Sequence, residues 1–256
     1  MLPRHWTTTF EIRDRTLIVS FPELRQVLSS AVQGGGLRRV RHIINHHVDG
    51  RAHECDASTR PHMADPARYL LRLAQTLGLT SPTCGLMTAV NLNHVVAKRE
   101  EAEDLWVEGV FTVGVTNAVR VGEPIDPVAT SPSSARGAVT QPVGTINMIL
   151  ITNAHLTPAA LIGAVMVATE GKTATLLEAG VPSWTGRPGA TGTGTDAIVV
   201  VNGRGRRLRY SGTHTKVGEL IGRVVRQGIE DGLQTAQGVR KAKKRSTRAD
   251  LSHRGS

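Results

Sequence analysis

Gly144-Thr145-Ile146-Asn147-Met148-Ile149-Leu150-Ile151 and Thr191-Gly192-Thr193-Gly194-Thr195-Asp196-Ala197-Ile198-Val199-Val200-Val201 share one plan: a polar, glycine-bearing lead opens an unbroken apolar run. Short apolar runs rich in β-branched residues read as strands buried on both faces. Between them the sequence punctuates a helix, with Thr157 as N-cap, Pro158 at the first helical position and Gly180 just past the end. From Ala159 to Ala168 that helix is apolar on every side, which predicts burial all round. Thr169-Glu170-Gly171-Lys172-Thr173 then forms a polar island that needs compensating partners. Helical geometry points Glu170 and Lys172 well apart, so they do not pair with each other. Either each meets a structural partner elsewhere in the core, or both edge a site.

Working outward, a helix follows the second run. Val217, Leu220, Ile221, Val224 and Val225 predict its buried stripe over about Val217 to Leu233, with Glu219–Arg223 and Arg226–Glu230 as solvent-side pairs. The result is a β-α-β-α unit, for which parallel strands are the default. Upstream, Thr16 to Phe21, Val40 to Ile44, Cys84 to Val90 and Trp106 to Val121, broken by Gly114, read as strands. Leu24 to Val32 fits helix or strand. Asp65-Pro66 caps a helix to Leu77, stopped by Gly78. Val95 to Asp104 is charged and reads as exposed. The fold class expected is α/β: a mixed sheet with packed helices. Glu123 to Pro142, rich in Pro, Ser, Thr and Gly, reads as a linker, so the domain over 1–235 divides into lobes at 16–122 and 143–235.

A chain of 256 residues can bury a sizeable core. No apolar run in the sequence reaches the length of a membrane span, and Met1 to Trp6 lacks a signal-peptide core. Cys55 and Cys84 make no disulfide framework, so a cytoplasmic location is expected. The net charge is +10, of which the stretch from Arg240 to Arg254 supplies +6. Such a block reads as a disordered tail over 236–256. The mildly basic body has 3% aromatics, too few for a base-stacking surface, which argues against nucleic acid as partner.

Candidate chemistry is scattered. His42, His46, His47, His53 and His62 invite a zinc hypothesis, but their spacing matches no closed site, and no metal or other cofactor is expected. Neighbouring strand residues face opposite ways, so at most one of His46 and His47 lines a given pocket. Cys84 reads as a small buried hydrophobe. Gly186 to Thr195 precedes a strand and lacks a Gly-Lys-Ser/Thr ending, which excludes a phosphate-binding P-loop.

Together these stretches resemble the adenosylcobinamide amidohydrolases. The resemblance rests on Gly144-Thr145-Ile146-Asn147, Ala168-Thr169-Glu170-Gly171-Lys172-Thr173, Thr191 to Ile198, and Gly212-Thr213-His214-Thr215-Lys216 through Gly222. Leu28-Ser29-Ser30-Ala31 with Gly34-Gly35-Gly36, Asn45-His46-His47-Val48, Gly85-Leu86-Met87-Thr88 and Val113 to Ala118 add to it, covering about Leu17 to Leu233 in order. Gly171 departs from the family's usual alanine, loosening that helix by about 1 kcal/mol. Gly194 replaces a common threonine.

The resemblance implies hydrolysis of the aminopropanol amide of adenosylcobinamide to adenosylcobyric acid and 1-amino-2-propanol, a corrinoid salvage step. Amide hydrolysis needs an activated water or nucleophile, an oxyanion stabiliser and an acid for the leaving amine. Glu170 or Asp196 is the expected general base, and Lys172 or His214 the acid or oxyanion stabiliser. Asn117, Asn147, His46, Thr191, Thr193, Thr195 and Lys216 are the expected substrate contacts. The alternatives are a non-catalytic corrinoid carrier and, further off, a nucleic-acid-binding protein acting through the basic tail.

Overall fold

The computed structural model describes residues 8–48, 64–124 and 144–252, with side chains through 236. Residues 125–142 of the linker stretch, the cysteine at 55 and the histidines at 53 and 62 lie outside the described residues. Strands β1 (Thr9–Arg13), β2 (Thr16–Ser29), β3 (Gly36–His47), β4 (Thr83–Thr88), β5 (Val96–Ala102), β6 (Leu105–Val113), β8 (Ile146–Thr152) and β11 (Ala197–Val201) make one eight-stranded sheet. Its order is β4-β3-β2-β11-β8-β6-β5, with β1 paired to β2. Strands β7 (Ala118–Val119) and β10 (Gly192–Thr193) pair with each other, as do β9 (His155–Leu156) and β12 (Arg207–Leu208). Helices α1 (Pro66–Thr76), α2 (Pro158–Glu178) and α3 (Lys216–Ser252) pack on this frame. The expected mixed α/β architecture is observed.

The decisive pair, β8 and β11, runs parallel at the centre of the sheet, with Ala197 opposite Asn147 and Val201 opposite Ile151. Alternation sorts its side chains into two cores. Ile146, Met148, Leu150, Ile198 and Val200 face α2 and α3. Ile149, Ile151, Val199 and Val201 instead pack with Leu17, Val19, Ile43, Cys84 and Leu86 from β2, β3 and β4. One sheet therefore folds over on itself. The register shift between Ser20 and Arg25 in β2, at Pro22, permits the bend. Ile18 and Ile44, on the far side, receive Leu70 and Ala74 of α1 and Leu77 just after it. The layers stack as helix, sheet, sheet, helix.

Local signals explain the boundaries. Thr157 Oγ1 accepts from Ala160 N at 3.3 Å, and Gly180 takes φ +62° just beyond α2. Asp65 Oδ1 accepts from Arg68 N at 3.0 Å at the head of α1. Several expectations change. Leu24 to Ser29 is strand, because β2 continues past its bulge to pair with β11. The charged stretch expected to be exposed contains strand β5, half-buried over most of its length: its charges are held by partners, Lys98 by Asp231 at 2.6 Å and Arg99 by Glu108 at 2.5 Å. Helix α2 is not buried all round. Ile162 is 57% and Met166 58% exposed, because α2 lies in an outer layer with α3 covering one flank. By length and composition α2 could cross a membrane. In this fold it is a core-facing helix carrying a buried lysine. Helix α3 runs on through Ser252, across the basic stretch that reads as disordered.

Candidate active site

The polar leads of β8 and β11 meet the last turns of α2 at the N-terminal end of the parallel pair. Lys172, 8% exposed, projects from α2 and places Nζ 2.5 Å from Asp196 Oδ2. The carboxylate is fully engaged. Oδ2 also accepts from Thr193 N at 3.0 Å, while Oδ1 accepts from Thr193 Oγ1 at 2.5 Å and from Ile146 N at 3.1 Å. A buried ion pair is tolerated only with such added hydrogen bonds. Gly192 is required here: a Cβ would fall 2.5 Å from Asp196 Oδ2 and 2.8 Å from Lys172 Nζ.

Behind the pair, between the two halves of the sheet, runs a chain of neutral groups. Thr145 Oγ1 shares its one proton between Thr195 O at 2.9 Å and Asn147 Oδ1 at 3.2 Å. Asn147 Nδ2 donates to Asn45 Oδ1 at 3.0 Å and Met87 O at 2.8 Å. Asn45 Nδ2 continues to Thr112 Oγ1 at 3.1 Å. Both Nδ2 hydrogens of Asn147 are spent within the protein. Beside it, Asn117 Oδ1 is buried without a partner among the described residues. A Cβ on Gly144 would lie 2.7 Å from Asn117 Oδ1 and 2.7 Å from Thr116 Oγ1, so glycine is needed at that approach.

Lys172, Asp196, Thr193, Thr195, Asn147 and Asn117 are thus brought to one end of the fold. Thr191 belongs to its frame: its hydroxyl accepts from Val121 N at 2.8 Å and its carbonyl from Thr173 Oγ1 at 3.1 Å. Thr193 N is committed to Asp196, leaving the amides of Gly194 and Thr195 without partners among the described residues. Other expectations are corrected. Glu170 is exposed on the α2–α3 groove with Gly222 and Arg223, because two helical residues span about 200° and carry it away from Lys172. His214 and Lys216 sit at the opposite end of the sandwich. Ser211 Oγ, just upstream, donates to Ala160 O at 2.5 Å, about 18 Å along α2 from Lys172. Lys216 pairs there with Glu219 at 2.7 Å. His46 turns outward to α1, with Nδ1 2.9 Å from Thr16 Oγ1 and Nε2 3.0 Å from Tyr69 OH.

Asn45 is the residue that sequence reasoning missed in that strand. Its signal was the one Asn147 carries: a lone amide on the inward face where an apolar strand meets the end of the sheet. Thr112 and Thr145 gave none, since threonine is common in strands. Among the described residues no group of three His, Cys, Asp or Glu side chains is placed to hold a metal ion. Cys84 is fully buried and its thiol is pushed up by desolvation, with the bond to Ser29 Oγ opposing.

The protein is thus of the α/β class, a mixed sheet packed with helices, with a buried lysine–aspartate pair at one end. Residues 4–241 match the adenosylcobinamide amidohydrolase family, and the chain belongs to it. An uncharacterized protein of Methanocaldococcus jannaschii is 31% identical over 86% of this chain and 86% of its own length. An adenosylcobinamide amidohydrolase of Methanosarcina mazei is 28% identical over 88% of this chain and 97% of its own. A solved protein of Pyrococcus horikoshii overlays loosely, with TM-score 0.39 at 12% identity over 89% of this chain and 83% of that one.

Proposed function

We propose that this protein hydrolyses the aminopropanol amide of adenosylcobinamide, releasing adenosylcobyric acid and 1-amino-2-propanol. The observation that carries the reading is convergence. The stretches around Asn45, Met87, Asn117, Gly144–Asn147, Lys172 and Thr191–Asp196 are far apart in sequence, yet their side chains and backbone meet at one end of the sandwich. Family membership over nearly the whole chain supports the substrate.

In this reading a water attacks the amide carbon, passing its proton to Thr193 Oγ1 while the Thr193 proton moves to Asp196 Oδ1 along the 2.5 Å contact. A nucleophile-side hydroxyl touching a carboxylate that is itself fixed by a third group is the arrangement such activation needs. Lys172, still holding ammonium donors, protonates the departing amine. The Asp196 carboxyl group, once its proton has moved from Oδ1 to Oδ2, reprotonates Lys172, whose Nζ lies 2.5 Å from Oδ2, and the ion pair is restored. The amides of Gly194 and Thr195 receive the carbonyl oxygen as it gains charge.

Mass spectrometry of adenosylcobinamide incubated with the purified protein tests the reading. Adenosylcobyric acid and 1-amino-2-propanol are expected in equal amounts, with loss of both in Lys172→Met. Intact corrinoid recovered on the protein would replace the enzyme with a carrier.

A further inference from the structure

At the far end of the β8–β11 pair lies a second polar centre. A cavity of about 240 Å³ is lined by Arg25, Gln26, Arg39, His155, Asn202 and Arg204, among others. Its polar side chains offer almost nothing but donors. Asn202 is exhausted: Nδ2 donates to Gln26 Oε1 at 2.9 Å and Leu156 O at 2.9 Å, and Oδ1 accepts from Leu156 N at 2.6 Å. That arrangement consumes the acceptor of Gln26 and leaves its Nε2 hydrogens unpaired among the described residues. Arg25 spends Nε on Asn202 O at 2.9 Å and one terminal nitrogen on Thr152 O at 3.4 Å, keeping the other terminal nitrogen unspent. Arg39 has no partner among the described residues. Arg204 reaches Leu24 O at 3.5 Å and pairs with Glu23. Glu23 thus pairs with Arg204 alone, while guanidinium groups from β2, β3 and the loop after β11 line the same cavity.

We propose that this cavity binds a phosphate group, free or carried by a small phosphomonoester. Guanidinium forks meet phosphate oxygens with paired, charge-assisted hydrogen bonds, and three of them approaching from different elements suit a tetrahedral dianion. Burial and the neighbouring Arg204 push the Arg25 guanidinium below its ordinary value, with Glu23 opposing, so an anion relieves a repulsion already present. No Phe, Tyr or Trp lies among the cavity's lining residues, so the recognition rests on the guanidinium groups and is of the phosphate. It is separate from the Lys172–Asp196 centre, and the proposal does not depend on the reaction assigned there.

Calorimetric titration of the full chain with inorganic phosphate at low ionic strength tests it. Saturable binding at one site per chain is expected, weakened at least tenfold in Arg39→Ala and in Arg204→Ala, both exposed positions that leave the melting temperature unchanged. Arg207→Ala, opposite His155 in the β9–β12 pair but not among the cavity's lining residues, keeps the wild-type affinity. Adenosine 5′-monophosphate in a parallel titration distinguishes the sources: tighter than phosphate assigns the monoester, weaker assigns the free anion. Heat that does not saturate, affinity unchanged in the cavity variants, or an equal loss in Arg207→Ala would overturn the proposal.

Discussion

Each end of the β8–β11 pair carries a buried asparagine, and the two do different work. Asn147 stands at the N-terminal end and Asn202 just past the C-terminal end, at 1% and 2% exposure. Both spend every hydrogen-bonding group. Asn202 spends them on Leu156 and Gln26, closing the turn into α2 against β2. Asn147 spends them on Asn45, Met87 and Thr145, and Thr145 holds the carbonyl of Thr195, next to Asp196. One amide fastens a frame. The other fastens a frame to a charged pair. The lesson is that saturation alone does not distinguish structure from function; what the saturated group is connected to does.

Substitutions sharpen that contrast. The largest effect belongs to the pair itself: Lys172→Met in folded protein should lower kcat/KM for adenosylcobinamide by about 10²–10⁴, the usual worth of proton transfer by a positioned group. Retained turnover would detach the pair from catalysis. Asp196→Ala leaves Lys172 buried and unpaired, so denaturant unfolding should show a loss of about 3–5 kcal/mol. Adding Lys172→Met to it should recover most of that loss without restoring activity. Asn202→Ala should cost about 1–3 kcal/mol through the unsatisfied Leu156 groups and leave kcat unchanged. Equal falls in kcat for Asn202→Ala and Asn147→Ala would erase the difference between the two ends. Gly192→Ala and Gly194→Ala compare neighbours in one loop. The first pushes a Cβ against Asp196 and Lys172 and should cut turnover at least tenfold. The second meets nothing within 4 Å and should change little. Glu170→Gln, on the outer groove, should leave turnover at the wild-type value.

Much of this end of the molecule could be read in advance. The strand pair, the caps of α2 and the placing of Asn147 and Asp196 at the heads of the two strands follow from apolar runs and polar leads. Which polar residue of α2 faces inward did not follow, because the helix is apolar on every side and has no stripe to orient it. Glu170 and Lys172 were therefore equal candidates until the sheet supplied Asp196 on one side. His46 drew attention over Asn45 because imidazole suggests chemistry, yet strand alternation sends His46 to Tyr69 and Asn45 inward. His214 belongs to a motif that caps α3: Gly218, where a Cβ would strike Gly212 O and Ser211 O, makes that motif one of close packing.

The join between the two halves of the sheet has a consequence for the order of synthesis. β2 meets β11 only through Val27–Ser29 against Val199–Val201, with Ser29 and Ser30 hooked to Ile198. The partner strand leaves the ribosome about 170 residues after β2, which at ordinary elongation rates is roughly 10–30 s. Throughout that interval the inner edge of β2 beyond its bulge waits unpaired, a template for the wrong strand. Leu24 and the charged Arg25 flank it, and Pro22 stands two residues before Leu24. Pro22 and Arg25, with the bulge between Ser20 and Arg25, are of the kind that discourage pairing at such an edge, an edge the finished protein no longer exposes.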